Sequence, residues 1–159
     1  MYILTLSLAL TACVDKTSDT GENTDSNANT PLAEELWGEI DDLSGWNQMP
    51  NWEGVVASST AHGSFVQIWL NDAAFDALSS GAAVPDGGII VKESYNDAEG
   101  TDLNNYTVIK KITAYNPSAA DWFWANFAVD GSINIAGTPD ACTSCHSSSE
   151  DYLQFTNQN

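Results

Sequence analysis

The feature that most constrains this 159-residue chain is the motif Cys142-Thr143-Ser144-Cys145-His146, which lies close to the C-terminus. A C-x-x-C-H motif is typical of an attachment site for c-type haem, in which each thiol adds to one vinyl group of the porphyrin. The histidine beside the second cysteine is then held under the ring, where its imidazole can bind the iron as proximal ligand. The motif therefore predicts a domain built around one covalently attached haem c.

The two cysteines of the motif have two other interpretations, a redox dithiol and half of a zinc site. A zinc site needs about four ligands. After these cysteines and His146, the chain offers only His62 and carboxylates. A thioredoxin-like dithiol is expected near a βαβ pattern, not in a polar C-terminal segment. We therefore favour haem.

The third cysteine, Cys13, follows a short apolar run at residues 2–12. The run is too short to span a membrane as a helix and has the length of a signal-peptide core. It ends in Leu10-Thr11-Ala12-Cys13, which resembles the lipobox of bacterial lipoproteins, whose cysteine becomes lipidated. The alternative is an ordinary signal peptide with an incidental cysteine. No Lys or Arg precedes the run, so a start upstream of Met1 is consistent with this interpretation.

Export agrees with the haem prediction, because c-type haem is attached outside the bacterial cytoplasm. Val14 follows Cys13 where the common inner-membrane retention signal has Asp. We therefore expect a periplasmic or outer-membrane lipoprotein that meets the membrane only through its lipid anchor. Residues 1–12 are then the signal peptide, residues 13–30 the lipidated cysteine and a flexible acidic tether, and residues 31–159 the haem domain.

The charge of the chain is strongly negative: 22 acidic residues stand against 4 lysines, with no arginine, for a net charge of −18. This excludes nucleic acid as a partner, because too few cations are present to neutralise phosphates. It also excludes electrostatic docking on anionic lipid. Two interpretations remain, namely a surface adapted to salt and an acidic surface for a basic redox partner protein.

Periodicity and turn residues predict an α+β domain. Thr30-Pro31 is the expected start of a helix with one apolar face, and a second short helix is capped by Asn71 or Asp72 and ended by Gly81. Strands are expected at residues 64–70, 89–95, 106–115 and 122–129, followed by a haem helix to about residue 155. Short connections favour antiparallel pairing. The expected fold is an antiparallel sheet with flanking helices and a C-terminal haem-attachment helix.

The second axial face of the iron has few candidate ligands. Electron-transfer cytochromes usually fill it with Met or His. Apart from Met1 and His146, the chain has only Met49 and His62, and neither lies in a diagnostic context. A five-coordinate iron with an open face is the third option. An open face allows small ligands to bind and react, whereas a filled one favours simple electron transfer.

An ordered series of short motifs resembles the cytochrome P460 family over roughly residues 46–155. In chain order the matching pieces are His62-Gly63, Ile68-Trp69-Leu70-Asn71, Phe75 and Leu78 ahead of Gly81, Pro85-Asp86-Gly87-Gly88-Ile89-Ile90-Val91-Lys92-Glu93, Tyr106-Thr107-Val108, Asp121-Trp122-Phe123-Trp124, the haem motif, Asp151 and Phe155-Thr156. The resemblance implies a mainly antiparallel β fold with helices, one c-type haem, a proximal histidine and an open distal pocket.

The resemblance also gives Lys92 a candidate role. Members named P460 oxidise hydroxylamine and carry a haem cross-linked to a lysine, whose counterpart here is Lys92. Related β-type cytochromes c′ share the fold, lack the cross-link and bind nitric oxide and similar gases. The residues themselves leave Lys92 undecided between a pocket and solvent, because both faces of its strand mix apolar and polar side chains. A cross-link would need a neutral amine, which burial favours by lowering its pKa.

The chain departs from the family pattern in two ways. It has no arginine, so Lys110, Lys111, His62 or tryptophan N–H groups would have to replace any distal or propionate-binding arginine. The distal carboxylate attributed to the hydroxylamine oxidisers has no clear counterpart, and Glu93 is a nearby candidate.

Three functions follow as hypotheses. The first is a haem oxidoreductase that acts on hydroxylamine or a related small nitrogen compound. The second is a β-type cytochrome c′ that binds nitric oxide. The third is a lipid-anchored electron carrier with Met49 or His62 as sixth ligand. A redox partner protein and a homodimer are compatible with each of them.

Overall fold

The computed structural model describes residues 26–154. The expected signal peptide, Cys13, residues 13–25 of the expected tether and the family match at Phe155-Thr156 lie outside the described residues. Among the residues that are described, no helix is both long enough and apolar enough to cross a membrane.

The fold is built on one antiparallel sheet of seven strands. The strands are β1 (Asn47–Gln48), β2 (Val56–Thr60), β3 (Gly63–Leu70), β4 (Ile89–Tyr95), β5 (Leu103–Lys111), β6 (Trp122–Ala128) and β7 (Ile133–Gly137). Their spatial order is β1-β3-β4-β5-β6-β7, and β2 also pairs with β3. The helices are α1 (Ser26–Glu39), α2 (Asp72–Ser80) and α3 (Asp140–His146), with 3₁₀ turns at Pro117–Ala119 and Glu150–Tyr152. This confirms the expected α+β class.

The two faces of the sheet carry separate cores, because side chains alternate along each strand. On one side, which we call the closed face, helix α1 packs over buried residues of the central strands. That core comprises Ala33, Leu36, Ile40, Ile89, Val91, Val108, Phe123, Ala125 and Phe127. On the other side, which we call the cavity face, the core comprises Ile68, Leu70, Ala74, Ala77, Val84, Ile90, Ile109, Trp122 and Trp124. Helix α2 and Cys142 of α3 pack against this second core.

The ends of helix α2 confirm the sequence expectation. Asn71 is the N-cap, and its side-chain oxygen accepts hydrogen bonds from the backbone N–H groups of Ala74 and Ile89, both at 3.0 Å. One side chain therefore caps the helix and ties it to the start of β4. Gly81 ends the helix at φ 70°, in the left-handed conformation that glycine adopts at little cost.

Several boundaries differ from expectation. Helix α1 begins at Ser26, so Thr30-Pro31 is not its start and the last part of the expected tether is helical. Strand β5 runs over Leu103–Lys111 and ends earlier than expected, because the chain turns back after it and Ala114 takes a positive φ of 61°. The haem helix ends at His146, since Ser147 closes it and a 3₁₀ turn follows.

Three strands were missed. Strand β2 is the polar sequence V-A-S-S-T, β1 has two residues, and β7 lies at an edge of the sheet. Edge strands bury little surface, so their sequences carry a weak apolar pattern. Of the three, β2 matters most for the site, because its turn into β3 carries His62.

Candidate haem site

The C-x-x-C-H motif forms helix α3. In a helix, residues three and four apart share one side. Cys142, Cys145 and His146 therefore project together from α3. Both cysteines are free thiols. Burial, with a smaller contribution from the charge of Cys145, raises the pKa of the Cys142 thiol, so this group is held in its neutral form.

The imidazole of His146 is held by the backbone that follows α3. Its Nδ1 lies 2.8 Å from the carbonyl oxygen of Tyr152. A carbonyl can only accept, so Nδ1 carries the proton and Nε2 keeps its lone pair. Burial lowers the pKa of His146, although the bond to Tyr152 acts in the opposite direction. The ring is therefore a neutral imidazole with Nε2 available as a metal ligand.

Three adjoining cavities on the cavity face have both His62 and His146 in their walls. The one that we call the thiol cavity has a volume of about 360 Å³. It is lined by Ala61, His62, Asn105, Thr107, Trp124, Ala125, Asn126, Ile135, Ala141, Cys142, Cys145 and His146. The one that we call the lysine cavity is lined by His62, Ile68, Ile90, Lys92, Thr107, Ile109, Trp124, His146, Leu153 and Gln154.

Lys92 enters this site from the middle of the sheet. It lies on central strand β4, paired with Ile68 of β3 and Thr107 of β5, and it points to the cavity face. Burial lowers the pKa of Lys92 from 10.5 to about 8. With this pKa about half of the amine is uncharged at pH 8, and about a tenth is uncharged at pH 7. The cross-link itself stays a prediction.

His62 lies in the tight turn between β2 and β3, where Thr60 pairs with Gly63. Its ring centroid is 6.0 Å from that of His146, and the two rings are nearly perpendicular. Burial, followed by the charges of Lys92 and His146, lowers the pKa of His62 to about 4. His62 is therefore a neutral base in the same space as the proximal ligand.

The wall behind His146 is aromatic. The Trp124 ring lies edge-on to His146 with centroids 4.7 Å apart, and the residue is only 2 % exposed. Its indole Nε1 is buried without a hydrogen-bond partner among the described residues. An unpaired buried donor in the wall of a cavity is expected where a bound group supplies the acceptor.

Glu93 is not brought to the site. It is next to Lys92 in sequence but points to the closed face, where its carboxylate accepts hydrogen bonds from Trp69 Nε1 at 2.6 Å and from the Tyr95 hydroxyl at 2.9 Å. Its position gives no support to a proton-transfer role at the haem. Alternation explains the separation, because neighbouring strand residues face opposite ways.

The other candidates are also dispersed. Lys110 points to the closed face and pairs with Glu39. Lys111 points to the cavity face but pairs with Asp151, beside the haem helix. Met49 packs against the core of the cavity face and does not line any of the three cavities described above. Of the two sequence candidates for a sixth ligand, the structure brings His62 into the space of His146 and leaves Met49 outside it.

The residues present fit a c-type haem. Two thiols suited to the vinyl groups and a neutral imidazole suited to the iron border one cavity, and its wall includes Trp124, Ala125 and Ile135. Within residues 26–154, His, Cys, Asp and Glu side chains do not gather in threes or more as a site for a bare metal ion.

Two residues that help to form the site were not predicted from the sequence. Tyr152 supplies the carbonyl for His146, and Thr107 lies opposite Lys92 in the wall. Only the strand register could have placed Thr107 there. The backbone carbonyl of Tyr152 could not be predicted, because every residue has such a group whatever its side chain.

Comparisons with known proteins agree with this geometry. A search of curated proteins gives no match. The family model described as Cytochrome P460 matches residues 46–154, which covers the sheet from β1 to β7 and the haem helix. Most of the chain is included. The chain therefore belongs to the cytochrome P460 family and is a haem cytochrome of the c type.

Proposed function

We propose that this chain is an exported mono-haem cytochrome that oxidises hydroxylamine or a related small nitrogen compound. The observation that carries the proposal is the position of Lys92, which is half-buried and lines a cavity together with His146, with its pKa lowered to about 8. A lysine on the solvent side of its strand would be charged and remote from the haem motif. A partly neutral amine in the cavity is what the family's cross-linked, hydroxylamine-oxidising members require.

The residues of the site have separate tasks. Cys142 and Cys145 would hold the haem, and His146 Nε2 would bind its iron. When bound, the haem supplies an iron that takes a nitrogen ligand and passes electrons on. Trp124 and the apolar strand residues exclude water from this space, which strengthens the polar contacts that remain.

Proton transfer needs an acceptor. Each two-electron oxidation of hydroxylamine releases two protons, and we assign the electrons to a redox partner protein. Among the described residues that line the three cavities, none is Asp or Glu. His62 and Lys92 are the bases there, and each is neutral or partly neutral because of its burial.

The same lack of a cavity carboxylate favours a second candidate function. A site with neutral bases and apolar walls suits an uncharged diatomic ligand such as nitric oxide, as in the β-type cytochromes c′. In that function Lys92 would remain unlinked and would serve as a hydrogen-bond donor to the bound ligand.

The deciding experiment is mass spectrometry, absorption spectroscopy and turnover of the protein produced with c-type haem maturation. Under the proposal, a tryptic peptide containing Lys92 stays joined to the haem, and hydroxylamine reduces an added electron acceptor. A bond to Lys92 replaces one N–H and one porphyrin C–H, so its formation needs a two-electron oxidant such as a peroxide. The Lys92→Met variant should lose the cross-link and most of the turnover, whereas Lys110→Met, which alters the closed face, should keep both.

Two outcomes would overturn the proposal. An unlinked high-spin haem that binds nitric oxide and does not turn over hydroxylamine favours the second candidate. A low-spin spectrum unchanged by added ligands indicates a filled sixth position, with His62 as its first candidate, and contradicts both.

We also propose a location, a periplasmic or outer-membrane lipoprotein anchored through Cys13. The support is the apolar run at residues 2–12 and its lipobox-like end. Replacing Cys13 with Ser should move the holoprotein from the membrane fraction to the soluble fraction. Equal membrane association of both forms would contradict the anchor.

A further inference from the structure

A largely buried ion pair lies beside the haem helix, away from the three cavities that His62 and His146 share. The Lys111 ammonium pairs with the Asp151 carboxylate and donates a second hydrogen bond to the carbonyl oxygen of Ala120 at 2.7 Å. It also lies 4.3 Å from the ring centroid of Trp122. Lys111 is only 9 % exposed. A lysine this buried is held by its partners, since a charge removed from water is costly unless it is paired.

The acidic partner lies on an unusual stretch of backbone. Asp151 has φ 50° and ψ 26°, and Tyr152 has φ 58°. Two successive non-glycine residues in the left-handed region are uncommon, and they persist where surrounding contacts fix them. Besides the ion pair, Trp122 Nε1 donates to the Asp151 carbonyl at 2.8 Å, and the Tyr152 hydroxyl donates to the Ser118 carbonyl at 2.8 Å.

This fixed turn presents one group to the haem site. The carbonyl of Tyr152, the residue after Asp151, accepts the hydrogen bond from His146 Nδ1. The direction of that carbonyl depends on the left-handed conformation of the turn. The conformation depends in turn on the contacts that strands β5 and β6 make through Lys111 and Trp122.

We propose that Lys111 and Asp151 form a positioning pair for the proximal ligand, which sets the orientation and donor strength of His146 through the Tyr152 carbonyl. A hydrogen bond from Nδ1 to a carbonyl orients a ligating imidazole and raises its basicity. Stronger donation strengthens the axial bond and favours ferric iron. The proposal needs the haem that the family implies, but it requires no particular reaction.

The pair is suited to this task because removal of one member leaves the charge of the other without a partner, which costs free energy. The second carboxylate oxygen of Asp151 is buried without a partner among the described residues. Without Lys111, this partly buried carboxylate would lose its opposite charge, with one of its oxygens already lacking a partner in the described part of the chain. The turn would then have to shift towards water, and the Tyr152 carbonyl would move with it.

The neighbouring lysine supplies a matched control. Lys110 is also on β5 and also pairs with a carboxylate, that of Glu39, but it points to the closed face. Substitution of either lysine removes one positive charge from the same strand. Only Lys111 is connected to His146.

The test compares Lys111→Met, Lys111→Arg and Lys110→Met as full-length holoproteins. The readouts are the iron–histidine stretching frequency of the ferrous protein, the reduction potential and the thermal unfolding temperature. We expect Lys111→Met to lower the stretching frequency and shift the potential to more positive values. Lys111→Arg should recover part of both shifts, because it keeps the charge, and Lys110→Met should match the wild type in both.

The proposal is overturned if Lys111→Met unfolds earlier but keeps the wild-type frequency and potential, because the pair would then be structural only. It is also overturned if Lys110→Met produces the same shifts. Should Lys111→Met fail to mature, Trp122→Phe keeps an aromatic side chain but removes the indole N–H that holds the Asp151 carbonyl, together with part of the ring that Lys111 contacts. That variant must show the same two shifts, and wild-type values in it would contradict the proposal.

Discussion

The two faces of the sheet use the same strands and the same alternation, yet they differ in what covers them. The closed face is sealed by the chain itself, because Leu36 of α1 and Ile40, the residue that follows the helix, pack with Val91 and Phe127. The cavity face is covered in part by α2 and α3 and leaves a cavity of about 360 Å³ beside the two thiols of the haem motif. One face therefore completes its core with protein, and the other leaves room for a prosthetic group.

The polar residues show what this difference means energetically. On the closed face the Glu93 carboxylate accepts two hydrogen bonds, whereas on the cavity face Lys92 and His62 are half-buried and have lowered pKa values. Burial of an ionisable group without an opposite charge costs stability. Groups of this kind are frequent at functional sites. The comparison therefore locates function on the cavity face and stability on the closed face.

The largest expected effect comes from removing the thiols of the cavity face. We expect Cys142→Ser combined with Cys145→Ser to abolish covalent haem, measured as loss of haem mass on the denatured protein. The closed-face core should be retained, so circular dichroism should still show the sheet. Covalent haem in the double variant would contradict the assignment of the attachment site.

The next largest effect is expected from a substitution in the core of the closed face. Phe127 is fully buried against Trp37, with ring centroids 5.1 Å apart. We expect Phe127→Ala to lower the free energy of unfolding by about 3–5 kcal/mol through lost burial and the cavity that remains. Denaturant unfolding measures this loss. The haem spectrum of the surviving folded fraction should be unchanged, and a shifted spectrum would show that the faces are coupled.

The third effect, of similar or smaller size, is the pH dependence of stability that Lys92 gives to the cavity face. Between pH 8 and 10.5 the unfolded chain keeps the Lys92 proton that the folded chain has lost, so stability rises with pH. In the haem-free double serine variant the contribution of Lys92 to this rise should reach about 3 kcal/mol, while the raised pKa values of Tyr95, Tyr106 and Tyr115 act in the opposite direction above about pH 10. Adding Lys92→Met should remove this contribution and leave that of the tyrosines, whereas adding Lys110→Met should leave both. Denaturant unfolding across this pH range measures the free energy of unfolding of each protein. An equal pH dependence in all three proteins would show that folding does not lower the pKa of Lys92.

The smallest effect concerns the ion pair on the closed face. Lys110 and Glu39 are partly exposed, with side chains 19 % and 33 % accessible. Solvent screening leaves such pairs worth less than about 1 kcal/mol. We expect Glu39→Gln to change the unfolding free energy by no more than this, and less at high salt. A loss larger than about 1 kcal/mol would contradict the comparison, because it would show that this pair is not screened by solvent as its exposure predicts.

The sequence predicted much of this architecture because strong local signals were present. Strand β4 matches its expected range, and Asn71 and Gly81 bound α2 as their capping chemistry requires. Polar edge strands such as β2 carried no such signal. Helix α3 is also shorter than expected, because the chain beyond His146 enters a turn fixed by distant contacts rather than by its own propensities.

The sequence by itself determined the chemistry: two thiols and a histidine at haem spacing, and too few cations for a polyanionic partner. These follow from residue type and local spacing. Only the tertiary structure decided which side Lys92 takes, that Glu93 lies away from it, and that Tyr152 holds His146. The reason is physical. Strand faces are assigned by which surface another element covers, and a backbone carbonyl has direction only after the chain around it has folded.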